Sequence, residues 1–199
     1  MNDMELNEKI KDLQNLDIQH RQRIWKPYME KYHCDTICEI GVRTGDNFYK
    51  MIEHSPRLAV AIDCWTDDGI LGRNDVCLNQ DELDTQYNAF KDSVADKPYV
   101  KIHRGYSFDA VKEFPDEYFD FIYIDADHTY EGCSRDIKDW WPKVKKGGVF
   151  CGHDYQGRSV RTKNGRITFG VKPAVKEFVK ANHLHLFILQ PIIWGIIKC

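Results

Sequence analysis

The fold of this chain is decided by residues 34–63, which read CDTICEIGVRTGDNFYKMIEHSPRLAVAID. An apolar run ends at Glu39 and Gly41, a turn reaches Gly45, an amphipathic segment follows, and a second apolar run stops at Asp63. Short apolar runs bounded by turn residues are typical of buried strands, and the segment between them has helical spacing. The stretch therefore predicts a strand, a glycine turn, a helix and a strand, which together make one βαβ unit.

This unit has polar groups at the position where ligands bind. The carboxyl ends of parallel strands meet at one edge of the sheet, where open α/β folds hold their ligands. Gly41 and Gly45 let the backbone turn sharply and approach a ligand closely, and Asp63 can accept hydrogen bonds from both hydroxyls of a ribose. Glu39 would repel a phosphate and attract an ammonium group, and the G-x-G-x-x-G pattern of dinucleotide-binding folds is missing from the turn. The residues favour a ligand with adenosine and an amino acid but no phosphate; the alternative is a tight connection without a ligand.

Length and composition narrow the class of protein. The chain has 199 residues, enough for one α/β domain, with 42% hydrophobic and 30% charged residues and a formal net charge of −3. This net charge does not indicate nucleic-acid binding, and no apolar run approaches the length of a membrane span. The start of the sequence, MNDMELNEKIK, is acidic and lacks a signal-peptide core, so we expect a cytoplasmic protein. Accordingly Cys38, Cys64 and Cys151 are predicted to be reduced and buried.

The segments on either side of the unit predict helices and a loop. Residues 3–32 have helical spacing with a break near Asp17, and Trp25 and Tyr28 are predicted core residues of helices that pack over the sheet or roof the ligand pocket. Residues 64–79 have no clean period and are predicted to form a loop, a candidate lid over the ligand.

The next part of the chain predicts a helix over residues 80–94 and a third strand, YVKIHRG, over residues 99–105. Ser107 then stands before an apolar helical segment, so it is predicted to be the N-cap of that helix. Contact between Ser107 and the adenine edge of the ligand is the alternative role.

A second cluster of polar residues follows two more predicted strands. FDFIYID ends at Asp125 and is followed by Asp127 and His128, and GGVFCGHDY ends in His153 and Asp154. Neighbouring strand ends would bring these five ionisable groups to one crevice, which is typical of a functional site. The simpler alternatives are a helix-capping role for Asp127, an exposed turn position for His128 and a backbone hydrogen bond for His153.

The remaining residues predict a loop, a helix and two strands. The loop QGRSVRTKNGRITFG, residues 156–170, lacks acidic residues, and a solvated loop is favoured over contact with an anionic substrate. Its basic residues are Arg158, Arg161, Lys163 and Arg166. The last two strands, HLHLFILQ and IIWGIIKC, are joined tightly, which requires an antiparallel pair.

The order of these motifs resembles the class I methyltransferases that use S-adenosylmethionine. More closely it resembles a short branch in which a D-x-D-H-x-Y-E segment precedes a GG…HD strand, and the resemblance covers about residues 36–155. It implies an α/β fold, a Rossmann-like three-layer sandwich with a mostly parallel seven-stranded sheet and an antiparallel last strand. It also implies a methyltransferase domain over residues 34–199, preceded by an N-terminal helical extension over residues 1–33.

The resemblance assigns cofactor-binding roles position by position. Glu39, Gly41 and Gly45 resemble the motif that holds the methionine and ribose parts of S-adenosylmethionine. Asp63 resembles the acid that binds the ribose hydroxyls, and Ser107 lies in a segment similar to the one that lines the adenine.

Asp125 corresponds to the family's acid after the fourth strand, beside the sulfonium and the substrate. In metal-dependent relatives of the catechol O-methyltransferase type, this acid and two residues after the fifth strand bind magnesium, and the matching residues here are Asp125, His153 and Asp154. A histidine ligand suits manganese, iron or zinc better than magnesium. Arg43 stands where the first motif often has a glycine.

The resulting prediction is S-adenosylmethionine-dependent O-methylation of a small molecule. His128 is the predicted general base, Asp125 lies beside the reacting groups, and Asp127 is the alternative base. Two other functions stay open: a non-catalytic S-adenosylmethionine-binding module, and a metal-dependent hydrolase that uses Asp125, His153 and Asp154. The expected partner is a small-molecule acceptor, anionic in one interpretation, and we expect a homo-oligomer with no nucleic-acid or membrane partner.

Overall fold

The fold is described from a computed structural model. The structure describes residues 2–16, 18–19, 22–23, 25–67, 78–157, 159–162, 165–190 and 192–199. In chain order its helices and strands are α1 (Asp3–Gln14), β1 (Ile18–Gln19), β2 (Gln22–Arg23), α2 (Lys26–Lys31), β3 (Thr36–Ile40), α3 (Asp46–Met51), β4 (Leu58–Asp63), α4 (Gln80–Ser93), β5 (Val100–Arg104), α5 (Ser107–Ala110), β6 (Phe119–Ile124), α6 (Tyr130–Trp140), β7 (Val144–Gly152), β8 (Ser159–Thr162), β9 (Gly165–Thr168), α7 (Val171–Ala181), β10 (Leu186–Gln190) and β11 (Ile193–Ile197).

Seven strands form one sheet in the order β10-β11-β7-β6-β3-β4-β5. The five strands from β7 to β5 run parallel to one another, whereas β11 pairs antiparallel with both β7 and β10. This is the predicted mostly parallel seven-stranded sheet with an antiparallel last strand, and the prediction is confirmed. The antiparallel pair follows from the short connection between β10 and β11, since parallel neighbours need a crossover.

Helices cover both faces of the sheet, so the predicted three-layer sandwich is also confirmed. Side chains alternate across each strand: Phe121 and Tyr123 lie in the hydrophobic cluster shared with α1 to α4, whereas Ile122 lies in the cluster shared with α5 to α7. The sheet is therefore buried on both faces, as expected when parallel strands are joined by helical crossovers.

The helices before β3 pack over the sheet. Trp25 and Tyr28 are buried, as predicted, and the Trp25 ring meets Phe121 and Tyr123 edge-on at centroid distances of 5.3 and 5.7 Å. The segment between the two helices differs from the predicted simple break, because it contains the two short paired strands β1 and β2. The boundary between residues 33 and 34 stays a prediction.

The helix predicted over residues 80–94 is confirmed by α4. It begins with a capping box: the Asn79 side chain accepts from the Glu82 backbone, and the Glu82 side chain accepts from the Asn79 backbone. Most of the candidate lid, residues 68–77, lies outside the described residues. The six cysteines in the described part of the chain carry free thiols; Cys38 and Cys151 are buried, but Cys64 is half-buried, contrary to the prediction.

The loop predicted over residues 156–170 contains a hairpin instead. Strands β8 and β9 pair antiparallel, with Ser159 opposite Thr168 and Thr162 opposite Gly165. The β-branched residues in these strands favour extended backbone over a loop, and the basic residues hid that pattern. Across the described ranges, none of the helices is both long and apolar enough to span a membrane.

Candidate active site

The carboxyl ends of five parallel strands are aligned at one edge of the sheet. The ladder of backbone hydrogen bonds continues one residue past the strand ends: Gly105 N to Asp63 O (2.9 Å), Gly41 N to Ile62 O (2.8 Å), Asp125 N to Ile40 O (2.7 Å) and His153 N to Ile124 O (3.0 Å). These bonds hold the residues that follow β3, β5, β6 and β7 beside the ends of the neighbouring strands.

A cavity of about 550 Å³ opens above this edge, within the range of sites that bind small ligands. It is lined by all the residues predicted for the site except Gly45, namely Glu39, Gly41, Asp63, Ser107, Asp125, Asp127, His128, His153 and Asp154. The prediction that strand ends bring these groups to one crevice therefore agrees with the geometry.

The two glycines of the turn serve the packing of the protein against itself. A Cβ on Gly41 would lie 2.1 Å from the Asp125 carbonyl oxygen, and a Cβ on Gly45 would lie 2.7 Å from the Phe90 ring. Both residues also have positive φ, +92° and +89°, which costs little only for glycine. The sequence pattern correctly marks the turn, but these contacts with neighbouring protein atoms are sufficient reason for both glycines.

Asp63 orders the loop at the centre of the cavity. Its Oδ2 accepts from the Arg43 backbone N at 2.7 Å, its Oδ1 accepts from the Trp65 backbone N at 3.0 Å, and the Trp65 indole donates to the Arg43 carbonyl at 2.9 Å. Arg43 and Trp65 both have positive φ, a strained backbone state that collects at functional sites. Burial raises the pKa of Asp63, and the backbone donors of Trp65 and Arg43 oppose that rise by favouring the charged form.

Glu39 is held at the floor of the cavity by a chain of side chains. Only 2% of Glu39 is exposed, and its Oε1 accepts from the Asn47 amide at 2.9 Å. The Asn47 Oδ1 in turn accepts from the Trp25 indole at 2.8 Å. The Glu39 carboxylate thus has a fixed orientation, set by Asn47 of α3 and by Trp25, which directly precedes α2.

A compact cluster of acidic and imidazole groups lines the cavity beyond the ends of β6 and β7. His128 Nε2 is 3.3 Å from Asp125 Oδ1 and 3.1 Å from Asp154 Oδ2, and the three groups offer ligand atoms within 4.8 Å of one another. His153 Nδ1 is 3.2 Å from Asp154 Oδ2 and 3.6 Å from Asp125 Oδ1. The His128 ring also stacks on Phe169 at a centroid distance of 5.1 Å.

The charge of Asp154 is supported by its neighbours. Burial raises the pKa of this carboxyl, but the hydrogen bond from His153, the positive potential of His128 and His153 and the hydrogen bond from Gln156 outweigh burial and hold the pKa below its usual range. Asp154 also has a positive φ of 51°, so the backbone turns sharply to direct this side chain.

Asp127 combines a cavity position with a local structural role. Its Oδ1 accepts from the Thr129 backbone N at 2.9 Å, and Thr129 itself caps α6. A Cβ on Gly132 would lie 2.1 Å from Asp127 Cγ, so the glycine in the first turn of α6 makes room for the carboxylate. The alternative in which Asp127 caps the helix is thus only partly right, because the cap residue is Thr129.

The predicted N-cap role of Ser107 is wrong. The cap position of α5 belongs to Tyr106, and Ser107 is the first helical residue. The Ser107 hydroxyl donates to Asp136 Oδ1 on α6 at 2.5 Å, and both residues line the cavity. Asp136 is only 3% exposed, and burial raises the pKa of its carboxyl to about 7.

Three residues of the site are not predicted from the sequence: Asn47, Trp65 and Asp136. Asp136 had a readable signal, because it is a charged residue on the buried stripe of α6 beside Cys133 and Ile137. The roles of the other two depend on contacts with distant backbone and side chains, which spacing along the chain does not encode.

Comparison with known proteins agrees with this geometry. A family model described as a methyltransferase domain matches residues 38–155, more than half of the chain. The chain therefore belongs to the methyltransferase domain family. With the seven-stranded fold, this makes it a class I S-adenosylmethionine-dependent methyltransferase.

Solved structures with the same fold are distant in sequence. The O-methyltransferase NovP is 15% identical with a TM-score of 0.62, covering 96% of this chain and 79% of its own. An O-methyltransferase from Bacillus cereus, solved with S-adenosylhomocysteine, is 13% identical with a TM-score of 0.58 and coverages of 100% and 92%. Fibrillarin from Aeropyrum pernix, solved with natively bound S-adenosylmethionine, is 11% identical with a TM-score of 0.55 and coverages of 82% and 66%. No curated protein sequence matches the chain significantly.

Proposed function

We propose that the protein transfers the methyl group of S-adenosylmethionine to a hydroxyl oxygen of a small acceptor in the cavity above the strand ends. The observation that carries this proposal is the row of carboxylates along one edge of the sheet, from Asp63 through Glu39 to Asp125, within a single cavity. Family membership favours methyl transfer over the hydrolase and the non-catalytic alternatives.

The chain offers complementary groups for each part of the cofactor. Glu39 presents a fixed carboxylate to an ammonium group, and Asp63 lies at the tip of the adjacent strand for ribose hydroxyls. When bound, S-adenosylmethionine supplies a methyl group on a positively charged sulfur. The negative cluster at Asp125 and Asp154 favours positive charge at that end of the cavity.

His128 is the proposed proton acceptor for the hydroxyl. Its ring is held by Phe169 on one side and by the carboxylates of Asp125 and Asp154 at Nε2, and these carboxylates stabilise the imidazolium that forms when the ring takes a proton. The reaction otherwise needs mainly alignment of the acceptor with the sulfur, which a rigid sheet edge provides. Asp127 stays the alternative base.

A divalent metal is a second proposal for the same cluster. The donor set combines two carboxylates and an imidazole, which suits manganese, iron or zinc better than magnesium or calcium. Asp125 and Asp154 would hold the ion with either His128, which lies in the compact cluster, or His153, the residue predicted from the sequence. A bound ion would lower the pKa of the acceptor hydroxyl.

That the acceptor is anionic and that the protein forms a homo-oligomer remain predictions from the sequence. Arg158 and Lys163 lie outside the described residues, and the side chains of Arg161 and Arg166 do so as well. The hairpin that carries these residues follows β7 directly, so its β8 strand starts five residues beyond Asp154.

Calorimetric titration tests the cofactor assignment. S-adenosylmethionine and S-adenosylhomocysteine should bind, NAD should not, and Asp63→Asn should weaken binding by about tenfold or more, the scale for a buried hydrogen-bonding group left unmatched. Asp92→Asn, on the exposed face of α4, is the matched control with unchanged affinity. Equal affinities in the parent and Asp63→Asn would remove the ribose assignment.

Turnover tests the proton acceptor and the metal. S-adenosylhomocysteine release is followed with a panel of small hydroxyl compounds, with chelator or with added Mn²⁺. His128→Ala should slow turnover by about 10²-fold to 10⁴-fold without changing cofactor affinity, the usual range for a lost acid–base group. Unaltered turnover would transfer the role to Asp127. If chelator abolishes turnover, calorimetric titration of Mn²⁺ into His128→Ala and into His153→Ala identifies the histidine that binds the metal.

A further inference from the structure

We propose that Asp136 is a positioning residue: it fixes the Ser107 hydroxyl as a hydrogen-bond acceptor toward the cavity, and so selects a purine with an exocyclic amine. This inference rests on the proposed function, because adenine is the purine of S-adenosylmethionine.

The direction of the hydrogen bond carries the argument. Ser107 Oγ donates to Asp136 Oδ1 at 2.5 Å, in a pair that is nearly closed to solvent at Asp136. Above about pH 7, where the Asp136 carboxyl is mostly ionised, it only accepts hydrogen bonds, and a serine hydroxyl has a single proton to donate. Once that proton is committed to Asp136, the oxygen of Ser107 can only accept from a group in the cavity. A ligand atom at this position must therefore be a donor.

The position of Ser107 matches the base end of a nucleoside. Strand β5 neighbours β4, and Gly105 N, just past the end of β5, donates to the Asp63 carbonyl at 2.9 Å. A ligand whose ribose lies on Asp63 can extend its base over the segment 105–108, away from the cluster at Asp125. The cavity is lined there by Ser107, by Asp136 and by the stacked rings of Tyr106 and Phe108.

A purely structural link between α5 and α6 would not need a charge at Asp136. Burial and the negative charges of Asp127 and Asp139 work against ionisation of Asp136, and the hydrogen bond from Ser107 and the charge of Arg135 offset them only in part. A neutral amide could tie the two helices without that cost. The carboxylate instead fixes the direction of the hydrogen bond, since the charged form of Asp136 can only accept and Ser107 must then donate.

Calorimetry with two ligands that differ only at the base tests the proposal. S-adenosylhomocysteine carries an exocyclic amine, and S-inosylhomocysteine carries a carbonyl oxygen at the same position. At pH 8, where Asp136 is mostly ionised, the parent should bind the adenosyl compound at least about tenfold more tightly, because the inosyl oxygen would face another acceptor. In Asp136→Asn the amide can donate to Ser107 and free the hydroxyl proton, so the ratio should fall to within about threefold.

Two further variants separate this role from a general effect on packing. Ser107→Ala should lower the ratio in the same way, and adding Asp136→Asn to it should change the ratio no further, since the two residues act as a pair. Glu131→Gln removes a charge from an exposed position on the same helix and should leave the ratio unchanged. Ser107→Ala also provides the test if Asp136→Asn fails to fold.

The outcomes distinguish this inference from the proposed function. Equal binding of the two ligands by the parent, or an undiminished ratio in both Asp136→Asn and Ser107→Ala, overturns the inference and leaves the cofactor assignment intact. Failure of the parent to bind either ligand refutes the cofactor assignment and the inference with it.

Discussion

Asparagine in place of Asp136 removes a charge that the folded chain must hold away from water. Burial raises the pKa of this carboxyl to about 7, from an ordinary value of 3.8 that applies to the unfolded chain. The folded state therefore binds the proton more tightly than the unfolded state. The stability from this group is fully present below pH 4 and is lost as the pH rises to about 7.

The size of the loss follows from the two pKa values. One pH unit between them corresponds to about 1.4 kcal/mol. Between pH 5 and pH 7 the parent loses about two such increments, or about 3 kcal/mol, and above pH 7 it loses little more. Asp136→Asn has no carboxyl to ionise, so its free energy of unfolding relative to the parent should rise by about 3 kcal/mol from pH 5 to pH 8.

Urea unfolding at pH 5, 6, 7 and 8, followed by circular dichroism, measures this difference. The other titratable groups are shared by the two chains, so their contributions cancel in the comparison. Glu131→Gln, an exposed position on the same helix, should stay parallel to the parent. Parallel curves for Asp136→Asn and the parent would show that the carboxyl is not destabilised by burial and would refute the reasoning.

Three other substitutions test the framework of the cavity. Gly41→Ala puts a Cβ 2.1 Å from backbone of the neighbouring strand at a positive φ, so the free energy of unfolding in urea should fall by at least about 2 kcal/mol; an unchanged midpoint would contradict the packing role. Trp65→Phe keeps a ring but removes the donor to Arg43, and should cost about 1 kcal/mol of stability and weaken S-adenosylhomocysteine binding. Asn47→Ala removes the amide that orients Glu39 and should weaken the same binding about tenfold in calorimetry, with Asp92→Asn as the unaffected control.

The sheet and its functional edge were readable from the sequence because they depend on local patterns. Apolar runs that stop at Asp63 and Asp125, with helical segments between them, fix both the βαβ order and the edge at which polar residues emerge. Parallel register then brings those residues together without any information about side-chain contacts.

The details of the site depend on contacts that the local pattern does not contain. The sequence could not show that His128, rather than His153, completes the compact cluster, because the loop before α6 must first fold back over the strand ends. Likewise Ser107 has the residue type of a cap, but the hydroxyl is drawn to a carboxyl 29 positions away on another helix. The hairpin after β7 was missed because its charged residues masked a β-branched pattern.

The chain of hydrogen bonds from Trp25 through Asn47 to Glu39 ties the cofactor end of the cavity to a residue that precedes every strand of the main sheet. A fragment that starts at Cys34 would keep every motif of the family and still lack the indole that steadies Asn47. We expect such a fragment to retain the outline of the cavity and to bind an amino-acid ammonium more weakly, because the Trp25 indole would no longer fix the orientation of Asn47 beside Glu39.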